Sequence, residues 1–425
     1  MEVLDKINSV IWGSFTVILI LVIGIYFTVK SRFIQFTFIK KLSLKKQGSI
    51  GAVTAALAAS LGTGNITGCA AAIAVGGIGA IFWMWVSAFF GMAIAYAENH
   101  VGISCIQKYG GSGPMSYMEN MIGSKVLTVI YAIGCGATAL FVGSATQANA
   151  FVTAVSPYFN ISSLLAALIL AAITAVILLS GSNAVSAVMS LTEKIVPFMG
   201  VLYMGGAAAV IAFTHCNVLD ALGNIIRDAF SSSAVSGGML SSAISIGLRR
   251  GVFSNEAGMG SSVMVYSCGG MTSAETAGAW GSFEVFLDTI ICCTVTALAV
   301  IAVGETDITY VFSSAFSAVG AEIIGRVIIT ASICLFAYAS ILGWFCYGQI
   351  CVDYLTDSFI VGKKAKGIVT KVFPTVYTLF IIIGGMTTQE TALAVADICN
   401  AFVMFPNLLS VVYLYSREVK PDRQG

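Results

Sequence analysis

The chain is short of charge. Asp, Glu, Lys and Arg make up 10% of its 425 residues, and 58% of the sequence is hydrophobic. Soluble domains carry roughly 25% charged residues. Folded in water, this composition would expose far more apolar surface than water tolerates. A net charge of +1 supplies no basic face for nucleic acid. Signatures of chemistry are missing as well: no paired-histidine metal motif, no Gly-x-Ser-x-Gly elbow and no Walker loop occurs. GTGN at 62–65 lacks the lysine and the strand–turn–helix setting of a phosphate loop. His100 and His215 stand near span ends and make poor proton relays. Alternating ten-residue strands are absent too; runs such as Leu164 to Leu179 exclude a β-barrel.

What is present is a series of long uncharged runs, and roughly 20 apolar residues span a bilayer. Hydropathy predicts an all-α integral membrane protein of about eleven spans: 9–30, 50–72, 77–99, 125–150, 162–180, 193–213, 237–259, 277–303, 322–350, 371–388 and 392–415. Short polar links join them, so residues 1–425 form one transmembrane domain. The run from Ile7 to Val29 is too long, and too poor in basic flanking residues, for a cleavable signal peptide. Most of the eleven cysteines, among them Cys69, Cys135, Cys292, Cys293 and Cys334, lie inside apolar runs and are expected to pack as small hydrophobes.

Charge predicts orientation. Lys30, Arg32, Lys40, Lys41, Lys45 and Lys46 follow the first span with no acid among them, which places that loop in the cytoplasm. Lys363, Lys364, Lys366 and Lys371, then Arg417, Lys420 and Arg423, fall on the same side when the spans are counted. Glu305 and Asp307 fall outside. The N-terminus is thus expected outside and the C-terminus in the cytoplasm of a multi-pass plasma (inner) membrane protein.

Two spans are interrupted. SLGTGNITG at 60–68 and GVFSNEAGMGS at 251–261 put glycines and polar side chains inside apolar helices. Broken backbone at membrane depth is tolerated where it lines a cavity, and a matched pair of breaks points to a transport site near the midplane. One helix (9–30) followed by two five-helix halves, 50–213 and 237–415, puts both breaks at the start of their half, and the odd helix number inverts the second half. Small-residue packing explains the glycines and alanines, but not Asn65, Asn255 and Glu256.

GGIGAIFWMWVSAFFG at 76–91, GTGNI at 62–66, QAN at 147–149, GVFSNEAGMGS and FLDT at 286–289 resemble, in order, the motifs of the alanine or glycine:cation symporter family. The resemblance covers nearly the whole chain. It implies the leucine-transporter-type fold with inverted five-helix repeats, and uptake of small neutral amino acids driven by sodium.

A broken helix offers N–H groups at one half-helix and carbonyls at the other, suiting the carboxylate of an amino acid on one side and ammonium or sodium on the other. Thr63, Gly64 and Asn65 are the first candidates for the carboxylate; Thr63 and Asn65 can instead satisfy the broken backbone. Gln147 is expected either to bond the substrate or to brace the break, with Phe141 and Phe151 as apolar walls. Asn255 lies in the second break. Asp288 and Glu256 are intramembrane carboxylates; Asp288 is preferred for substrate or cation, Glu256 for a structural or gating pair, and Arg249 or Arg250 are candidate partners. Glu284, one turn before Asp288, would repel it. Glu98 and Glu193 are placed at span ends as interfacial groups. By analogy with the family, the 322–350 span faces the first break, giving sodium ligands from the Ala59 and Gly62 carbonyls with Ser340, and Trp344 on the substrate. Flanking Ala, Gly and Ser, with Trp83, Trp85 and Trp344 closing the volume, favour alanine or glycine.

The expected mechanism is alternating access, with sodium as coupling ion, no cofactor, no enzymatic activity and no protein partner beyond the lipid bilayer. A proton-coupled transporter, with Asp288 or Glu256 carrying the proton, and a passive channel are the alternatives.

Overall fold

Helix after helix forms where the apolar runs lie, because a run without charge and without backbone partners outside itself can satisfy its N–H and C=O groups only along its own axis. The computed structural model describes residues 2–42, 50–179, 184–231, 242–360 and 362–418, and those residues contain helices and connections but no strand. Lys45, Lys46, Lys420, Arg423 and the expected start of the seventh span at 237–241 lie outside the described residues.

Among the described residues seven helices are long and apolar enough to cross a bilayer, and nine if two bent pairs each count as one span. The bent pairs are Phe15–Lys30 with Ile34–Lys41, at 55°, and Ile50–Ser60 with Thr63–Gly76, at 51°. Ser163–Leu178 occupies the place of the fifth expected span; its 16 residues reach only about 24 Å at the helical rise. The place of the expected seventh span is taken by the pair Ser242–Asn255 and Ser261–Cys268, so its helix resumes beyond the expected end at 259.

The first span is not one rod from 9 to 30. A helix over Glu2–Ile11 stops at Gly13, whose backbone is extended, and Ser14–Lys30 follows. After it, Arg32 and Phe33 both take the left-handed conformation and turn the chain into the Ile34–Lys41 helix. Residues 34–41 of the expected loop are thus helical. Ser14–Lys30 shows its membrane setting plainly. Phe15, Ile18, Val22, Ile25 and Val29 are exposed at spacings of three and four, while Val17, Ile20, Ile23 and Phe27 are buried. An exposed stripe of this kind belongs against acyl chains rather than water.

Two packed groups of helices position the breaks. Ala80–Tyr109 runs along both Ser242–Asn255 and Ala274–Val285. The long helix Glu322–Phe359 packs on Ala184–Phe213, Lys125–Phe159 and Ile50–Ser60, and Gln389–Glu418 packs on Lys125–Thr138. Lys125–Phe159 and Ala274–Val303 are each continuous but pass through a π-helical turn, at Ala139–Thr146 and Phe286–Cys293. Three short amphipathic or connecting helices, Gly113–Asn120, Val218–Ala229 and Ile308–Ser317, join spans that hydropathy alone left linked by loops.

Candidate functional site

The first break is one tight turn, Thr63–Asn65, between Ile50–Ser60 and Thr67–Gly76. Its polar groups are bonded by residues of two other helices, Lys125–Phe159 and Ala274–Val303. Gln147 Oε1 accepts from the Thr63 N–H at 3.1 Å and from Thr63 Oγ1 at 2.8 Å, so the amide braces the break. Thr296 Oγ1 donates to the Asn65 carbonyl at 2.8 Å. Asn65, fully buried, donates through Nδ2 to Asp288 Oδ1 at 2.5 Å and to the Asp288 carbonyl at 2.9 Å, while its Oδ1 has no protein partner. Gly64 faces Phe253, at ordinary contact distance.

The second break, 256–260, leaves Asn255 at the end of one half-helix. Asn255 Oδ1 caps the turn by accepting from the Ala257 N–H at 3.1 Å, and its Nδ2 reaches Thr289 Oγ1 at 3.4 Å. Glu256 sits in the left-handed region with φ +55, which costs a non-glycine residue about 1–3 kcal/mol. Its carboxylate accepts from Ser261 Oγ at 2.7 Å.

Asp288 joins the two breaks. Besides Asn65, its carboxylate accepts from Ser254 Oγ and Thr289 Oγ1, both at 2.7 Å on Oδ2. Asp288 and Thr289 are consecutive yet both buried, because the π-helical turn widens the helix there; such turns are frequent at functional sites. The other π-helical turn leads directly into Gln147.

The helix Glu322–Phe359 touches both breaks. Ser340 Oγ donates to the Ala59 carbonyl at 3.0 Å. Gly62 lies under Ser340 and Gln147, where a Cβ would stand 3.0 Å from Ser340 Oγ and 3.3 Å from the Gln147 amide. Ala59, Gly62 and Ser340 are therefore together, as expected. One turn on, Trp344 is buried beside Glu256 and stacks edge-on with Tyr347 at 5.4 Å. Phe151, partly buried, packs with Val152, Ala166 and Ala167 and also against the main core. Phe141 meets Phe380 at 5.2 Å, and Trp83 lies against Phe82 and Phe230, away from the breaks.

Several partners differ from expectation. Arg249 and Arg250 pair with neither Asp288 nor Glu256; they approach Asp397 Oδ2 at 3.6 and 3.7 Å, on the last helix. Glu284 takes a bond from the Tyr266 hydroxyl, a partner the sequence did not indicate, while Asp288 still stands on the same helix one turn on. Glu98 is not interfacial but buried at the second break, where the Gly260 N–H donates to it at 3.0 Å. Ser254 and Thr296 were missed; Ser254 stands beside Asn255, while nothing around Thr296 in the sequence marks it. Asn407 was missed too, although an asparagine inside an apolar span always needs a partner.

On one side of the first break a cavity of about 300 Å³ opens between Thr67, Ala74, Asn149, Thr153, Asp307 and Gln389. On the other side, between Ser60, Glu98, Glu256 and Glu284, there is room for about 10 Å³, roughly one water.

The model of the sodium:alanine symporter family matches residues 1–422. A sodium/alanine symporter from Methanococcus maripaludis is 33% identical over 97% of this chain and 94% of its own length. A probable sodium/glutamine symporter from Bacillus subtilis is 30% identical over 96% of this chain and 87% of its own. The fold is shared with a solved Na+-coupled sialic acid symporter, at TM-score 0.58 and 13% identity over 94% of this chain and 86% of that one. It is shared also with a manganese transporter from Eremococcus coleocola, at TM-score 0.57 and 12% identity over 88% and 83%. Two interrupted helices tied together at midspan, in a chain matched end to end, make this protein a membrane transporter and a member of the sodium:alanine symporter family.

Proposed function

We propose that the chain carries small neutral amino acids, alanine or glycine, into the cell together with sodium, by alternating access. The observation that carries this reading is the meeting of both breaks at one carboxylate, Asp288, beside the orphaned Asn65 Oδ1. A buried acceptor without a donor is costly unless a ligand supplies one, and an ammonium group or a sodium ion does so. Thr63, Gly64, Asn65, Gln147 and Asn255 then surround the substrate head, with Trp344 closing the side-chain end; Phe151 supports Gln147's helix from behind. Sodium belongs at the Ala59 carbonyl and Ser340 hydroxyl beside Gly62, a neutral oxygen set fitted to a hard, singly charged cation. Sodium there draws the first half-helix toward the Glu322–Phe359 helix and orders the turn that follows, raising amino acid affinity. By linkage the amino acid raises sodium affinity by the same factor.

The architecture proposed with it is the 9–30 helix followed by inverted halves 50–213 and 237–415, in the plasma membrane with the N-terminus outside and the C-terminus in the cytoplasm. The relative named as a probable sodium/glutamine symporter makes glutamine the substrate to test against alanine.

Purified protein in liposomes, given labelled alanine, glycine or glutamine under an inward sodium, lithium or proton gradient, tests the reading. Accumulation of alanine or glycine above equilibrium in sodium alone supports it. Equilibration without accumulation identifies a passive channel, and accumulation under a proton gradient without sodium identifies proton coupling.

A further inference from the structure

The second break is held by residues outside its own helix, and they are not those that meet the proposed ligands. Asn407 Nδ2 donates to Glu98 Oε2 at 2.8 Å and to the Gly258 carbonyl at 2.7 Å. The Gly260 N–H donates to the same Glu98 oxygen at 3.0 Å. Tyr117 donates its hydroxyl to Asn407 Oδ1, and Tyr131 OH donates to the Met259 carbonyl at 2.7 Å. Three successive residues of the turn, 258–260, thus have a backbone group bonded to a side chain of a distant element. Glu98, Tyr117, Tyr131 and Asn407 are all buried, so water cannot replace a bond that is broken while they stay so.

These bonds cross a boundary between packed groups. Glu98 belongs to Ala80–Tyr109, which lies along Ser242–Asn255 and Ala274–Val285 and so moves with the second broken helix. Asn407 and Tyr131 belong to Gln389–Glu418 and Lys125–Thr138, which lie along each other. The bonds also sit on the narrow side of the breaks, next to the one-water space between Ser60, Glu98, Glu256 and Glu284, while the 300 Å³ cavity opens on the other side.

We infer that Asn407 is a positioning residue for transport: with Tyr131 it latches the second break to the helices that stay behind, keeps the narrow side shut, and must release once in each turnover. This deepens the proposed function and rests on its alternating access. Asn407 touches neither substrate nor sodium; it acts through the position of the 258–260 turn. One amide performs both tasks, because its Nδ2 bridges Glu98 and the Gly258 carbonyl while its Oδ1 is fixed by Tyr117.

The test uses the full chain in liposomes, unsubstituted or carrying Asn407→Ala or Tyr131→Phe, each with and without Thr153→Cys as a reporter in the wide cavity. Three quantities are read: the fraction of molecules that bind alanine in sodium, the net uptake rate, and the labelling rate of Thr153→Cys by a membrane-impermeant maleimide above the background of the native cysteines. Release of the latch should slow reporter labelling by about threefold or more, as the population leaves the wide-side-open state. Net uptake per binding-competent molecule should change by about fivefold, with the binding-competent fraction unchanged. Tyr131→Phe, which removes a single hydroxyl, should show the same direction with smaller size. Unchanged labelling in both variants overturns the latch. So does loss of binding and of thermal stability together with labelling, which marks a merely structural asparagine. Should the unsubstituted protein bind no alanine in sodium, the substrate reading fails, and the labelling rates still decide the latch.

Discussion

Asn65, in the first break, gives its side-chain amide to Asp288 at 2.5 Å, and Asp288 takes a second bond from Ser254 at the edge of the other break. One carboxylate therefore fixes the separation of two half-helix ends. Asn65→Ala is expected to abolish sodium-driven alanine uptake with the protein still folded, at a stability cost of about 1–3 kcal/mol for the buried group left unpaired. Trp83→Phe, in the aromatic cluster with Phe82 and Phe230, should leave uptake largely intact. Uptake and thermal unfolding of both variants check this, and the reverse pattern would put the pocket on the wrong helix.

Gln147 braces the first break through two bonds accepted by one oxygen. Gln147→Ala should reduce uptake by about tenfold or more, the worth of roughly one good hydrogen bond. Gln147→Glu keeps the acceptor for Thr63 and should retain more activity than the alanine variant. Initial rates at saturating sodium separate the two; equal losses would mean that Gln147 serves the substrate alone.

Ser340→Ala removes a hydroxyl at the proposed sodium position and leaves the Ala59 carbonyl in place. The sodium concentration for half-maximal uptake should rise by about five- to tenfold, with the maximal rate at high sodium preserved, since one neutral oxygen ligand is worth about 1 kcal/mol. A fall in maximal rate with unchanged sodium dependence would remove Ser340 from the ion site.

Gly343 lets the Glu322–Phe359 helix approach the first broken helix: a Cβ there would lie 2.6 Å from the Ala59 amide nitrogen. The obstruction is backbone and cannot swing away. Gly343→Ala should cost about 1–3 kcal/mol and raise the half-saturating sodium concentration, because it pushes Ala59 away from Ser340. Melting temperature and sodium titration read both effects, and a variant normal in each would mean that the two helices separate freely.

Asp397 is the acidic partner of both Arg249 and Arg250 and is itself buried. Asp397→Ala leaves two partly buried cations without their acid, at a cost of about 1–3 kcal/mol. The double variant Asp397→Ala with Arg250→Met should be more stable than the single one, as a double-mutant cycle by thermal unfolding would register. Additive losses would show that the charges do not interact.

The breaks were legible because glycine and amide side chains in an apolar run have few physical excuses; burial at a cavity is one of them. Gln147 was legible for a related reason, an amide inside a span that is costly without a partner, whereas Ser340 came from the family resemblance. The partner of Arg249 and Arg250 was not, since Asp397 lies on the last helix and meets them only in the folded chain. Glu98 looked interfacial because it stands near the expected end of a span; the helix runs on to Tyr109 and carries it inside. The π-helical turns leave no distinctive mark in composition: Phe286–Cys293 is apolar apart from Asp288 and Thr289, and the shared burial of those two betrays it.

Those turns set the phase of the helices that contain them. A π-helical turn takes in one residue more than an α-helical one, so Thr294–Val303 is rotated by about 100° relative to the frame that Ala274–Val285 would extend. Thr296, bonded to the Asn65 carbonyl, and Asp288, bonded to its side chain, meet the same asparagine because of that offset. Eight positions apart on a regular α-helix the two side chains would stand about 80° apart; the extra residue of the wide turn brings them onto one face. Residue count in this stretch is thus a constraint separate from residue identity: one residue added between Asp288 and Thr296, with no second wide turn to absorb it, would swing Thr296 about 100° away from the Asn65 carbonyl.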